Sequence, residues 1–278
     1  MNINITILVS FKEMAKIDLN ELEVLRVVFG ENNVVEHFYE IPEGSIVVPR
    51  YRAIPFGKLT EEEISHRRAQ LINTYHQHRN IADSTNWSPL LDGTDENKQL
   101  TARQYFVEDI PRLPENQYFV KGETNSLKNN WAKSSFAPSK KDLVEVVNNF
   151  MSDGYVGTQR VVIKPFQKFR QLETAVNGQP IFNERRAFVL DGELLADGFY
   201  WSSWAEELGE VEYDRGSFMK TLNEVVKRVS HLSRFFVIDL AENQDGSWWV
   251  VELNDGPMSG LSCVDPFELW TNFKNAFQ

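Results

Sequence analysis

Three side chains in the last fifth of the sequence have the types and spacing of an oxygen-ligand site. Asp239 stands in Phe236-Val237-Ile238-Asp239-Leu240, and Glu252 and Asn254 in Trp249-Val250-Val251-Glu252-Leu253-Asn254-Asp255-Gly256. Side chains alternate along a strand. That puts Glu252 and Asn254 on one face and Val251 and Leu253 on the other. A turn at Glu242-Asn243-Gln244-Asp245-Gly246 would fold the two segments into a hairpin and bring Asp239 near Glu252. Asp255 is read as shaping the turn before Gly256. Two carboxylates and an amide oxygen suit a hard cation such as Mg²⁺ held beside phosphates. Zinc would call for Cys and His. Spacing alone leaves a second reading open, a solvated hairpin face with ordinary acids.

The elements that must carry these residues are legible in part. Asn4 to Ser10 reads as a buried strand. Asp18 to Phe29 reads as a helix, with Leu19, Leu22, Leu25 and Val28 at helical spacing and Gly30 as its stop. Ser45 to Pro49 reads as a strand running into Arg50. Thr60 and Glu63 form a capping-box pattern, which predicts a helix from Thr60 toward Tyr75. The polar stretch from His76 to Leu100 reads as loop or mixed connection. Two prolines in Asp109-Ile110-Pro111-Arg112-Leu113-Pro114 mark a candidate boundary. Beyond it come a strand at Tyr118 to Lys121, a helix from Ser139 to Met151 and a strand from Arg160 to Pro165. A hairpin turns at Asp191-Gly192, a helix runs from Phe218 to Leu232, and strands follow at Phe235 to Leu240 and Ser247 to Leu253. A last helix spans Pro266 to Phe277. The expected organisation is an α/β domain over residues 1–115 and an α+β domain of antiparallel strands and packed helices over 116–278.

Asp239 followed by Glu252-x-Asn254 on a paired strand resembles the metal-binding signature of the ATP-grasp superfamily. The run Trp249 to Leu261 is similar to one clade of it, named for two arginines and a lysine. The resemblance implies an ATP-grasp fold over about residues 116–278, preceded by a smaller α/β pre-ATP-grasp domain. It implies that Asp239, Glu252 and Asn254 hold one or two Mg²⁺ ions, or Mn²⁺, against the ATP phosphates. Lys121, leading into Gly122 and a loop that includes Lys128, would meet phosphate. That loop has one glycine where relatives have a glycine-rich run. Lys164 lies in the strand that would carry the adenine hinge. Its neighbours bury it, so it needs an anion, either nucleotide phosphate or a protein carboxylate. Phe166 either packs on the base or fills the core. In Glu184-Arg185-Arg186, alternation puts Glu184 and Arg186 on one face and Arg185 on the other. Glu184 would hold the ribose hydroxyls, and Arg186 would stabilise charge on the transferring phosphoryl group. A cross-strand Glu–Arg pair is the alternative. The 17 residues between Phe166 and Glu184 are a longer insertion than the pattern requires.

The implied activity is ATP- and Mg²⁺-dependent ligation of a carboxylate to an amine or thiol through an acyl phosphate, with a peptide or amino acid among the candidate substrates. A small-molecule kinase on the same fold and a non-catalytic ATP-binding protein are the alternatives. Arg50 is the candidate for a substrate carboxylate, a plain salt bridge being its other reading. The 29 Lys and Arg against 40 Asp and Glu give a net charge of −11, which argues against nucleic acid as partner. No apolar run approaches the roughly 18–20 residues of a membrane span, and the expected location is cytoplasmic. His76 and His78, two apart on a helix, make poor metal geometry and read as surface groups. Cys263, the single cysteine, reads as a buried structural thiol.

Overall fold

The computed structural model describes residues 3–51, 57–93, 98–127 and 130–278. It opens with strand β1 (Ile5–Leu8), buried at all four positions. Helices α1 (Phe11–Ile17) and α2 (Leu19–Phe29) follow. The Asp18 carboxylate accepts the Glu21 N–H at 2.9 Å to start α2, and Gly30 at φ +88° ends it. Next come β2 (Val34–Val35), β3 (Ile46–Val48), α3 (Gly57–His66) and β4 (Gln70–Leu71). The four strands form a parallel sheet in the order β2-β1-β3-β4.

The helix expected from Thr60 to Tyr75 is broken. Thr60 lies inside α3, and Arg68 adopts φ +56°, a left-handed conformation that a helix cannot continue through. The capping box is instead at Thr74 and Gln77, which exchange hydrogen bonds of 3.2 and 2.9 Å. It opens α4 (Tyr75–Ala82), which α5 (Ser84–Leu91) follows. The stretch read as loop is thus mainly two helices. Their buried faces carry His78, Ile81, Trp87 and Leu91.

After the two prolines, β5 (Tyr118–Gly122), β6 (Phe136–Ala137) and β7 (Val161–Pro165) form an antiparallel sheet in the order β6-β5-β7. Helix α6 (Lys140–Met151) covers it with Leu143, Val146, Val147 and Phe150. The stretch between Phe166 and Glu184 folds into a separate ribbon of β8 (Gln171–Thr174) and β9 (Pro180–Phe182).

The largest core surrounds an antiparallel sheet of β10 (Glu184–Leu190), β11 (Glu193–Phe199), β12 (Phe235–Glu242) and β13 (Trp248–Asp255), in the order β11-β10-β12-β13. Asp191 and Gly192 both have positive φ, +50° and +89°, as the two-residue turn between β10 and β11 demands. Short α7 (Ala205–Leu208) and α8 (Arg215–Val229) stand between β11 and β12, and α9 (Pro266–Asn275) closes the chain.

One face of this sheet meets Phe218, Leu222, Val225 and Val229 of α8. Trp87, Leu91 and Leu100 join the same core. Thr101 pairs with Val250, and Tyr105 with Ile163. Helix α5 and residues 98–105, on the N-terminal side of the two prolines, therefore pack with the later sheets. The other face has two ends. At one end Phe188, Phe235 and Val237 meet the first sheet and the Leu269, Trp270 and Phe273 side chains of α9. At the other end, the same alternation presents Glu184, Arg186 and Asp239.

Candidate functional site

Sheet register assembles the polar end. Arg186 on β10 pairs with Asp239 on β12, and Asp239 pairs with Glu252 on β13. The Arg186 guanidinium grips Asp239 with both arms, Nε to Oδ1 at 2.9 Å and Nη2 to Oδ2 at 2.8 Å. Its Nη1 donates to the Gly260 carbonyl at 2.7 Å. Burial works against the charge of Arg186, but the adjacent Asp239 carboxylate outweighs it and holds the guanidinium charged above its ordinary range. From the facing sheet, Lys121 on β5 reaches across and donates to the Glu252 carboxylate. Lys121 is buried.

Lys164 on β7 is also buried, 6% exposed, and has no ion-pair partner among the described residues. Its ammonium rests 4.9 Å above the ring of Trp87. Burial, assisted by the like charge of Lys121 and opposed by Glu252, pushes its pKa down to about 7 from 10.5. No carboxylate pairs directly with it among the described residues; Glu252 acts on it through its field and is itself engaged by Lys121.

An open cleft runs between the two sheets. Lys121, Lys164, Glu184 and Glu252 line it, together with an aromatic wall of Phe119, Trp131, Phe166, Phe169 and Phe182. Trp131, carried on a single π turn, stacks with Phe119 and Phe136 at centroid distances of 5.7 and 5.6 Å. Phe166 meets Phe136 edge-on at 4.9 Å and also faces the cleft. Glu252 and Asn254 border an adjoining recess with Thr124, Asn125, Ser126 and Leu127 of the loop after β5. That loop is pinned by one side-chain oxygen. Gln159 Oε1 accepts from the Thr124 N–H, the Thr124 hydroxyl and the Asn125 N–H at 3.1, 3.1 and 3.3 Å. A Cβ at Gly122 would lie 2.2 Å from this oxygen, so the loop's one glycine makes room for its anchor.

A profile of the ATP-grasp domain, family 3 of the clade named for two arginines and a lysine, matches residues 84–273. The chain belongs to this family. As an ATP-grasp protein it is an ATP-binding member of a magnesium-using ligase class, and the matched span begins at the first residue of α5. Among curated proteins no relative matches. Solved structures share its fold. The D-cycloserine synthetase DcsG has 12% identity and a TM-score of 0.61, covering 99% of this chain and 100% of that one. The ATP-grasp ligase PsnB, complexed with a phosphomimetic variant of its minimal precursor, Mg and ADP, has 12% identity and a TM-score of 0.60, covering 100% and 97%. D-alanyl-alanine synthetase A from Vibrio cholerae has 13% identity and a TM-score of 0.56, covering 95% and 92%.

The donor set of this ATP-grasp protein fits Mg²⁺. Asp239 and Glu252 are register neighbours, and Glu252 and Asn254 border one recess, so only hard oxygens are offered. Among the described residues no group of three or more His, Cys, Asp or Glu could hold a metal; the third candidate donor, Asn254, is an amide. Each carboxylate is engaged by a cation, Glu252 by Lys121 and Asp239 by Arg186.

Several sequence-based expectations change. Val251 does not share a face with Leu253. The register slips between Asp239 and Leu240, so Val250 and Leu253 both enter the core while Val251 lines the cleft beside Glu252. Such a bulge re-aims side chains. Arg50 takes no part in the cleft. It is fully buried, with Nε and Nη2 on Glu21 at 2.8 and 3.2 Å and Nη1 on the Pro257 carbonyl at 2.8 Å. Replacing Arg50 with alanine leaves Glu21 buried and unpaired, and should cost about 3–5 kcal/mol in urea unfolding. Wild-type stability with lost turnover would restore the substrate role. His78 is not a surface group. It is buried and pairs through Nδ1 with Asp255, which also accepts from Asn73 at 3.1 Å. Asp255 does meet the turn, accepting the Met258 N–H at 3.2 Å. Cys263 is exposed. Arg185 lies off the cleft, bound to Asp197 at 3.0 Å. Lys128 lies outside the described residues. No described helix is long and apolar enough to cross a membrane.

Proposed function

We propose that the protein is a cytoplasmic ATP- and Mg²⁺-dependent ligase that activates a carboxylate as an acyl phosphate and transfers it to an amine or thiol. The observation that carries this reading is Lys164, a buried cation at a cleft wall that makes no ion pair among the described residues and feels only the field of Glu252, which Lys121 already engages. An anionic ligand would complete it. The aromatic wall suits the base, with Phe166 against it, and Glu184 faces the same cleft for the ribose hydroxyls.

The chemistry needs placed charge more than a nucleophile. A substrate carboxylate oxygen would attack the γ-phosphorus of ATP, and the bond to the β-phosphate oxygen would break to release ADP. The amine would then attack the acyl carbon, expelling phosphate. Lys121 and Arg186 neutralise charge on the transferring group, and Lys164 neutralises charge along the phosphates. Asp239, Glu252 and Asn254 would hold one or two Mg²⁺ ions, or Mn²⁺, which supply further charge neutralisation when bound. A peptide or amino acid substrate is supported by the shared fold of PsnB complexed with precursor peptide PsnA2, with a TM-score of 0.58, and of D-alanyl-alanine synthetase.

Hydroxylamine intercepts acyl phosphates as hydroxamates. The protein with ATP, Mg²⁺, hydroxylamine and a panel of amino acids and peptides should release ADP and hydroxamate in equal amounts. ADP with a stable phosphorylated product and no hydroxamate would identify a kinase instead. AMP as product would exclude both.

A further inference from the structure

The β8–β9 ribbon carries one residue that behaves unlike its neighbours. At the tip, Val176, Asn177 and Gly178 are exposed, and Gly178 turns the chain at φ +82°. Gln179 follows at once and is only 7% exposed. Its backbone is fixed on both sides. Its carbonyl accepts the Ala175 N–H at 2.8 Å, and its N–H donates to Asn177 Oδ1 at 3.1 Å. The side chain turns into the cleft, where it lines the same wall as Phe166, Phe169 and Phe182. Its carboxamide has no hydrogen-bond partner among the described residues.

A long polar side chain on an exposed ribbon has water freely available. In the cleft the amide gives up much of that water and takes no hydrogen bond from the described residues in return, an arrangement that costs free energy until a partner is supplied. The arrangement is explained by a ligand that supplies the missing partner. The surrounding rings call for a flat, π-faced ligand. A carboxamide offers a donor and an acceptor side by side. That pair is complementary to the N6 amino group and N7 of adenine, and mismatched to guanine, which presents O6 and N7 as two acceptors.

We infer that Gln179 is the nucleobase-selecting residue of the cleft, and that its carboxamide favours adenine over guanine nucleotides. The inference deepens the proposed ATP-dependent function and rests on it. It also gives the ribbon between Phe166 and Glu184 a task, that of carrying a base-reading amide into the site.

Equilibrium binding of non-hydrolysable ATP and GTP analogues with Mg²⁺ tests it in wild-type protein, Q179L and Q179M. A bidentate base contact is worth about 1–3 kcal/mol, or roughly 5- to 150-fold. Wild-type protein should prefer the ATP analogue by at least about tenfold. Both variants should lose ATP affinity, keep GTP affinity, and bring the ratio close to one, with melting temperatures near wild type. An unchanged ratio, or equal loss for both nucleotides, overturns the assignment of Gln179 while leaving the ATP site standing. No nucleotide binding by wild-type protein overturns the assignment and the proposed function together.

Discussion

Replacing Lys164 with methionine should make the protein more stable and a poorer binder of nucleotide. The wild-type ammonium is buried against Trp87, with its pKa pushed down to about 7. Folding therefore holds the charge in an unfavourable place at neutral pH and below. Methionine fills similar volume without it, and a gain of about 1–4 kcal/mol below pH 7 is expected, by analogy with apolar replacement of buried ionic groups. Losing a charged contact to phosphate should weaken Mg²⁺–nucleotide binding about 10- to 100-fold. Urea unfolding and calorimetric titration on the same preparations measure both. Lower stability in Lys164→Met would show that the lysine has an unrecognised compensating partner.

The same lysine sets opposite pH slopes for stability and binding. Between about pH 7 and 10.5 the unfolded chain keeps a proton on Lys164 that the native protein has released. Stability should therefore rise with pH across that window. Nucleotide binding needs the charged form, so above about pH 7 binding takes up a proton and affinity should fall, by up to about tenfold per pH unit. Lys164→Met should flatten both trends.

Asp239→Ala is the second large effect. It strips the bidentate partner from buried Arg186, and should cost about 3–5 kcal/mol, as for other broken buried pairs. It also removes a proposed metal ligand, so ADP release should fall at least about 100-fold, in line with lost electrostatic stabilisation of the reacting group. Adding Arg186→Met to Asp239→Ala removes the stranded charge and should recover much of the stability, but none of the turnover. Turnover recovered along with stability would assign the pair a purely structural role.

What the sequence disclosed and withheld follows from the range of the forces involved. Strand alternation and the Asp-Gly turn are local, so the β10–β11 hairpin and the shared face of Glu184 and Arg186 were legible. The register of Asp239 with Glu252 followed from a short turn. The bulge that sends Val251 to the cleft depends on packing of Val250 and Leu253 with α8 and α5, and leaves no local trace. Helices α4 and α5 were hidden because their buried faces include His78, whose partner Asp255 stands 177 residues away. Arg50 stood between a substrate contact and a plain salt bridge for the same reason. Its partners Glu21 and Pro257 cannot be found by spacing. The pairing of Lys121 with Glu252 across two sheets, and the inward turn of Gln179, belong to the same class.

One cleft should bind Mg²⁺–ATP through the carboxylates of the β12–β13 pair and the lysines of the facing sheet. Calorimetric titration of a non-hydrolysable ATP analogue into wild-type protein and Glu252→Gln, with and without Mg²⁺, tests this most directly. The glutamine keeps an acceptor for Lys121 while removing the charge a metal needs. Wild-type protein should bind one nucleotide more tightly with Mg²⁺ than without, and Glu252→Gln should lose that dependence. Mg²⁺-dependent binding of unchanged strength in Glu252→Gln would contradict the account.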